Sequence, residues 1–294
     1  MRKRVFITGA AGGLGKALVW EFASHGWDLF LTDRSASALS ILAAGVERAH
    51  HVQVMWETSD LSDEADREQL IATLRAQDLR FGALVNIAGF DLEGAFLDRE
   101  WPGLLSLMRV NMEAGLLLTH ALTEMRDGWE PLRVINTASL AAFFPMPYKA
   151  TYAASKGFIL STSLALREEL RGRATITVLC PAGMPTTDSS VEAINAQGVM
   201  GRLTTRNTSE VARVTYRAAM AGRPIVIPGL INRLLLAASR LVPGPLLAWV
   251  IGKRWGSARD FAEPVTRKGA ARRRVTQHTV VQEVVESAQP RRAS

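Results

Sequence analysis

The sequence is poor in cysteine: Cys180 is the only one in 294 residues. No internal disulfide is available, which fits a reducing compartment. No run of 18 uncharged apolar residues occurs, so an ordinary membrane span is not expected. The start, MRKRVFITGAAGG, places basic residues before Val5-Phe6-Ile7, but glycines interrupt that apolar stretch too soon for a secretory leader. His25, His50 and His51 are not grouped with cysteines or carboxylates at metal-ligand spacing, so no metal is expected. Cys180 has no histidine near it in sequence and reads as a buried strand residue rather than a nucleophile.

Acidic charge is scarce only at one end. Residues 1–222 hold 22 Lys+Arg against 24 Asp+Glu, whereas residues 223–294 hold 13 against 4. A near-neutral body therefore carries a basic tail. A nucleic-acid enzyme would place its positive charge around the site, so no nucleic-acid partner is expected.

What is present is an alternation. Short apolar strands are expected at 4–8, 28–33, 51–60, 82–89, 132–139, 174–183 and 223–229. Helical spacing begins near Gly15, an acidic helix runs to about Leu74, and long helices cover 101–126 and 151–170. This order predicts an α/β fold with a doubly wound parallel sheet of about seven strands and helices on both faces. In such sheets ligands bind beyond the carboxyl ends of the strands.

TGAAGGLG (8–15) lies at the first strand–helix junction. Gly9, Gly13 and Gly15 permit a tight turn and close approach of backbone N–H groups to a pyrophosphate. The spacing is G-x-x-x-G-x-G, and Lys16 is followed by Ala17, which excludes a nucleotide-triphosphatase loop. Asp33 ends the second strand, where a carboxylate can accept bonds from an adenosine ribose and repel a 2′-phosphate. NAD is therefore favoured. Arg34 follows and could instead meet that phosphate, so NADP stays open.

TYAASKG (151–157) sets Tyr152 and Lys156 one helical turn apart on the same face. Together with TGAAGGLG, Asp60-Leu61, NIAG (86–89), Asn111 and Ser139, the chain resembles the short-chain dehydrogenase/reductase family over residues 4–230. Ser139 precedes Tyr152 by 13 residues and Asn111 precedes Ser139 by 28, the family's usual spacing. The quoted stretch 147–170 is most similar to bacterial lipid-, acyl- or hydroxysteroid-type members.

The resemblance implies a Rossmann-type domain over 1–229 and an NAD(P)-dependent oxidoreductase interconverting a ketone and a secondary alcohol. It implies Tyr152 as general acid/base, Lys156 on the nicotinamide ribose, Ser139 on the substrate oxygen and Asn111 holding a relay water. It further implies cofactor contacts from Leu14, Asp60, Leu61, Asn86, Ala88, Gly89, Pro181 and Thr186, and a homodimer or homotetramer. Taken singly, Asn111 also reads as a helix–strand tether and Ser139 as a cap. A free phenol titrates near 10, so bringing Tyr152 to about 7 requires roughly 4 kcal/mol of differential stabilisation. A lysine ammonium and a cationic nicotinamide would both act in that direction.

Two departures from the family pattern stand out. Ile87 replaces the second Asn of NNAG, and Ala182 in CPAGMPT (180–186) occupies a glycine position, where a positive φ would strain it. Phe143, Phe144, Pro145, Met146 and Pro147 are expected to give an apolar substrate wall, with residues 186–205 as a lid. A hydrophobic carbonyl or alcohol substrate follows, with 3-oxoacyl reduction as the alternative activity. A non-catalytic cofactor sensor and an extended-type epimerase or dehydratase are the rivals. Residues 230–264 form an apolar extension, expected as two amphipathic helices, and 265–294 a basic, flexible tail. The segment 230–255 suits core packing, a subunit contact, a substrate lid or an anionic bilayer surface. The expected location is cytoplasmic, peripheral to the inner membrane face through that segment.

Overall fold

The computed structural model describes residues 3–128, 130–184, 203–239 and 241–253. Met1–Trp249 forms one compact unit, and of the second, Val250–Ser294, only the helical residues 250–253 are described.

Seven parallel strands pair in the order β3-β2-β1-β4-β5-β6-β7. They are β1 (Arg4–Thr8), β2 (Asp28–Asp33), β3 (Val54–Thr58), β4 (Ala83–Asn86), β5 (Leu132–Thr137), β6 (Ala174–Leu179) and β7 (Ile225–Val226). The helices are α1 (Gly13–Ser24), α2 (Ala36–His50), α3 (Glu64–Ala76), α4 (Trp101–Met108), α5 (Gly115–Glu124), α6 (Ala150–Glu169), α7 (Thr208–Met220) and α8 (Leu230–Ser239). The expected parallel doubly wound sheet is the observed one.

Burial explains why the strands read as continuous apolar runs. Val5 and Ile7 pack into one core with Leu18 and Phe22 of α1, Leu39 and Leu42 of α2 and Val211 of α7. Phe6, between them, points to the opposite core with Leu70 and Leu74 of α3 and Leu118 and Leu122 of α5. Alternate side chains thus meet different helical layers, and both faces are dry. Phe6 stacks on Phe30 at 5.3 Å and meets Phe81 edge-on at 5.7 Å, closing the second core under β1 and β2.

Three elements differ from expectation. α2 fills the stretch between β2 and β3 in which the sequence reading placed no helix. Ser35 starts it by accepting the Ala38 N–H, and His51 ends it at φ 54. The single helix expected over 101–126 is divided: between α4 and α5, Arg109–Ala114 is a π-helix. Such a widened turn re-aims side chains and is common at functional sites. Here it contains Asn111. Finally, β4, β5 and β6 stop before Gly89, Ser139 and Gly183, leaving those residues in loops at the sheet's carboxyl edge.

Candidate active site

The glycine loop is shaped by backbone packed against backbone. Gly9 has φ 61, and a Cβ there would lie 2.9 Å from Ala88 Cα and N. A Cβ on Gly15 would lie 2.0 Å from the Gly9 carbonyl oxygen. No side chain fits either place. Thr8 Oγ1 accepts N–H bonds from Ile87 and Ala88, both 3.1 Å, and so fastens NIAG beside the loop. Ile87 is compatible with this geometry because position 87 contributes its backbone. Gly12 caps α1 without a side-chain bond to the first-turn N–H groups, and Gly13 begins the helix. Leu14 turns inward as core. A helix N-terminus bared in this way suits an anion.

Asp33 lies at the edge of that loop. Its Oδ2 accepts from Ala11 N–H at 3.0 Å and its Oδ1 from Arg34 N–H at 2.8 Å. Asp60 follows β3; bonds from the Ser62 N–H and hydroxyl pull its carboxyl below the usual range, burial opposes them, and the Arg34 charge adds to the lowering. Arg34 therefore faces a carboxylate on the neighbouring strand end. Leu61 puts its side chain in the core, and its carbonyl accepts from the buried Arg67 at 2.9 Å.

The second half of the site is made by side chains. Asn86 Nδ2 donates to Asn136 Oδ1 at 2.8 Å, and Asn136 Nδ2 donates to Ser163 Oγ at 2.9 Å. This buried chain joins β4, β5 and α6. Asn111 Oδ1 accepts from Phe90 N–H and its Nδ2 donates to Phe90 O, both at 3.0 Å. The same Nδ2 donates to Ser155 Oγ at 3.1 Å, and Ser155 donates to Tyr152 O at 2.7 Å. The Asn111 side chain is thus a tether between the loop after β4 and α6. Ser139 caps the short 3₁₀ turn Leu140–Phe143 by accepting Ala141 N–H at 3.1 Å, and its hydroxyl acts to draw the Tyr152 phenol down. Both simple readings of these residues are realised.

Lys156 is 4% exposed and donates to Thr137 O at 2.8 Å, with Nζ 5.7 Å from the Tyr152 ring centroid. Burial lowers it to about 8, against weaker upward pulls from Asp91 and Cys180. Burial likewise lifts the Tyr152 phenol above its ordinary value; the Ser139 hydroxyl and Lys149 pull it down, and Asp91 pushes it up. The chain by itself therefore favours the protonated phenol. The Lys156 ammonium is committed to the Thr137 carbonyl. Cys180 is buried and pushed up to about 12, chiefly by burial, so its thiol is inert.

The loop after β6 resolves the question raised by Ala182. Among the described residues, the positive-φ residues other than glycine are His51, Asp78 and Tyr148, so Ala182 bears no such strain. Pro181 accepts Leu140 N–H at 2.9 Å, bringing that loop beside Ser139. Thr186 and most of the expected lid lie outside the described residues.

The pattern for short chain dehydrogenases matches residues 3–197. The chain belongs to the short-chain dehydrogenase family. It is 32% identical over 223 residues to a 1-deoxy-11-beta-hydroxypentalenate dehydrogenase of Streptomyces exfoliatus, covering 74% of this chain and 79% of that one. It is 30% identical over 169 residues to a very-long-chain 3-oxoacyl-CoA reductase of Laccaria bicolor, covering 56% of this chain. The alignment spans only 49% of that relative's length. Among solved structures, a short-chain dehydrogenase of Sphingobium yanoikuyae in complex with NADPH superposes with a TM-score of 0.68 at 27% identity, covering 81% and 94% of the two chains. One of Burkholderia phymatum in complex with NAD gives 0.70 at 25% identity, covering 80% and 92%.

For a short-chain dehydrogenase, the sequence reading missed several supports. Asn136, Ser155 and Ser163 lie inside or near the strand and helix segments of the sequence motifs, but only the fold shows Asn136 bonded to Asn86 and Ser163, and Ser155 to Asn111. Arg67 is fully buried, with Glu113 of the π-helix as its ionic partner. Phe143, partly buried, packs against Ala138, Val178 and Cys180. Lys149, beside the motif, forms ion pairs with Asp91 at 2.6 Å and Glu93 at 2.9 Å.

Proposed function

We propose that this short-chain dehydrogenase is an NAD(P)-dependent oxidoreductase that interconverts a ketone and a secondary alcohol on a hydrophobic substrate. The observation carrying this reading is the buried Lys156, donating to Thr137 O at 2.8 Å with its Nζ 5.7 Å from the Tyr152 ring, at the strand edge that also holds Ser139 and the glycine loop. The residues present fit a dinucleotide: Gly9 and Gly15 let the loop's backbone fold tightly against itself and Ala88, and the bared start of α1 is suited to a pyrophosphate. Gly9, Gly13, Gly15, Asn86, Ala88 and Gly89 would hold it, with Asp33 on the adenosine ribose. That carboxylate favours NAD over NADP.

The nicotinamide supplies or accepts the hydride. Tyr152 gives its proton to the carbonyl oxygen during reduction and takes one from the hydroxyl during oxidation. Ser139 orients that oxygen. Lys156, with an ammonium loosened by burial, stands ready to return the proton near neutral pH. Asn111 holds the loop and α6 in register. Tyr152→Phe is expected to lower turnover about 10²–10⁴-fold. The check is steady-state kinetics on a panel of aliphatic and steroidal ketones; full turnover by the variant would remove Tyr152 from the chemistry.

A 3-oxoacyl substrate is the second reading, favoured by the resemblance to very-long-chain 3-oxoacyl-CoA reductases. A separate proposal concerns the extension. Among the described residues no helix is long and apolar enough to cross a membrane. Yet Leu230, Leu234 and Leu241 are exposed at 68%, 61% and 87%, and residues 230–255 contain no Asp or Glu. This combination suits attachment to an anionic bilayer surface. Co-sedimentation with phosphatidylglycerol vesicles is expected, and Leu234→Glu/Leu241→Glu is expected to abolish it.

A further inference from the structure

The loop after β4 runs over the catalytic pair. A Cβ on Gly89 would lie 3.3 Å from Lys156 Nζ and 3.0 Å from Asn111 Oδ1, so the backbone passes directly above both. Phe90 is gripped on its N–H and its carbonyl by Asn111. The loop then reaches Asp91 and Glu93, both partly exposed, and both bind Lys149. Lys149 is the N-cap residue of α6, three positions before Tyr152, and its carbonyl accepts Ala153 N–H at 2.8 Å. Tyr148, at φ 65, turns its carbonyl to Gly94 N–H at 2.8 Å and so fixes the far end of the same loop. A closed ring results: Asn111, Phe90, Asp91, Lys149, α6, Ser155 and back to Asn111.

We propose that the Asp91–Lys149 ion pair is a positioning device, which locks the loop after β4 onto the start of α6 and sets an acidic and a basic charge beside Tyr152. It rests on the reading of Tyr152 as the acid/base and deepens it. The ionic groups acting on the pair come from every side of the site. Asp91 and Glu93 come from the loop, Lys149 and Lys156 from α6, and Cys180 from the end of β6; Ser139, beyond β5, adds its hydroxyl. Of these, Asp91 opposes ionisation of Tyr152 and Lys149 favours it, while Asp91 also holds the proton on Lys156. Burial works against the Lys149 charge, but Asp91 and Glu93 more than offset this and raise it. The two members of the pair thus act on Tyr152 with opposite sign, so each can be read separately in its titration.

The test uses the full chain with carbon-13 at lysine Cε and tyrosine Cζ, titrated by NMR, with Lys156→Met and Tyr152→Phe spectra assigning the two signals. In Asp91→Asn, Tyr152 and Lys156 are both expected to lose their protons more readily, by about threefold to tenfold in each constant. In Lys149→Met, Tyr152 is expected to move the opposite way by a similar factor. Asp91→Lys/Lys149→Asp is expected to recover the melting temperature lost in either single charge reversal. The proposal is overturned if the titration of Tyr152 is unmoved in Asp91→Asn and Lys149→Met, or shifts in the same direction in both. It is equally overturned if the double reversal melts no higher than the single reversals. Turnover plays no part in these readouts, so the catalytic reading, tested by Tyr152→Phe kinetics, stands or falls separately.

Discussion

The two halves of the sheet build their parts of the site by different means. On the β1–β3 side, shape is set by missing side chains: Gly9 against Ala88, and Gly15 against the Gly9 carbonyl. On the β4–β6 side, shape is set by buried polar side chains, from Asn86 through Asn136 to Ser163 and from Asn111 through Ser155 to the Tyr152 carbonyl. The first arrangement presents unspent N–H groups to an anion and needs no particular charge. The second fixes two ionisable groups to within one helical turn and burial then moves both of them. One half is suited to holding a ligand of constant shape, the other to moving a proton.

Three variants break or sharpen that contrast. Gly15→Ala is expected to cost most, about 3 kcal/mol of stability by denaturant unfolding, because the added methyl meets backbone that cannot swing aside. The second effect depends on pH. Lys156 titrates at about 8 in the folded chain and at 10.5 when unfolded. Below pH 8 both states hold the proton, so the penalty of the buried charge is complete. As pH rises from 8 towards 10.5 the unfolded chain still binds the proton that the folded chain has released, and stability rises. Relative to Lys156→Met, the wild type is therefore expected to gain about 2 kcal/mol between pH 7 and 9.5. Urea midpoints at the two values check this. The smallest effect is that of Asn136→Ala, about 1–2 kcal/mol, since Asn86 Nδ2 keeps Gly115 O and Thr119 Oγ1 as partners while Ser163 loses one. A larger loss at Asn136 than at Gly15 would reverse the contrast.

The parallel sheet was legible in the sequence because buried strands are continuous apolar runs and the glycine loop stands at the first crossover. Tyr152, Lys156, Ser139 and Asn111 were legible through their spacing. α2 was not, because ASALSILAAGVERAH is dominated by small and apolar residues and carries its start signal only in Ser35. The π-helix at Arg109–Ala114 has no counterpart in residue pattern; the widened turn is visible only in the backbone. Asp91 and Lys149 escaped notice for another reason: they are 58 residues apart, and only the fold brings them to 2.6 Å. The direction in which Tyr152 is shifted was also hidden, since burial outweighs the groups named by the motif.

The most direct test of the account is calorimetric titration of the purified chain with NADH and with NADPH. The account predicts saturable binding of both, with NADH the tighter because Asp33, the proposed ribose acceptor, would repel a 2′-phosphate. Binding of neither cofactor, by a chain that unfolds cooperatively, would contradict it.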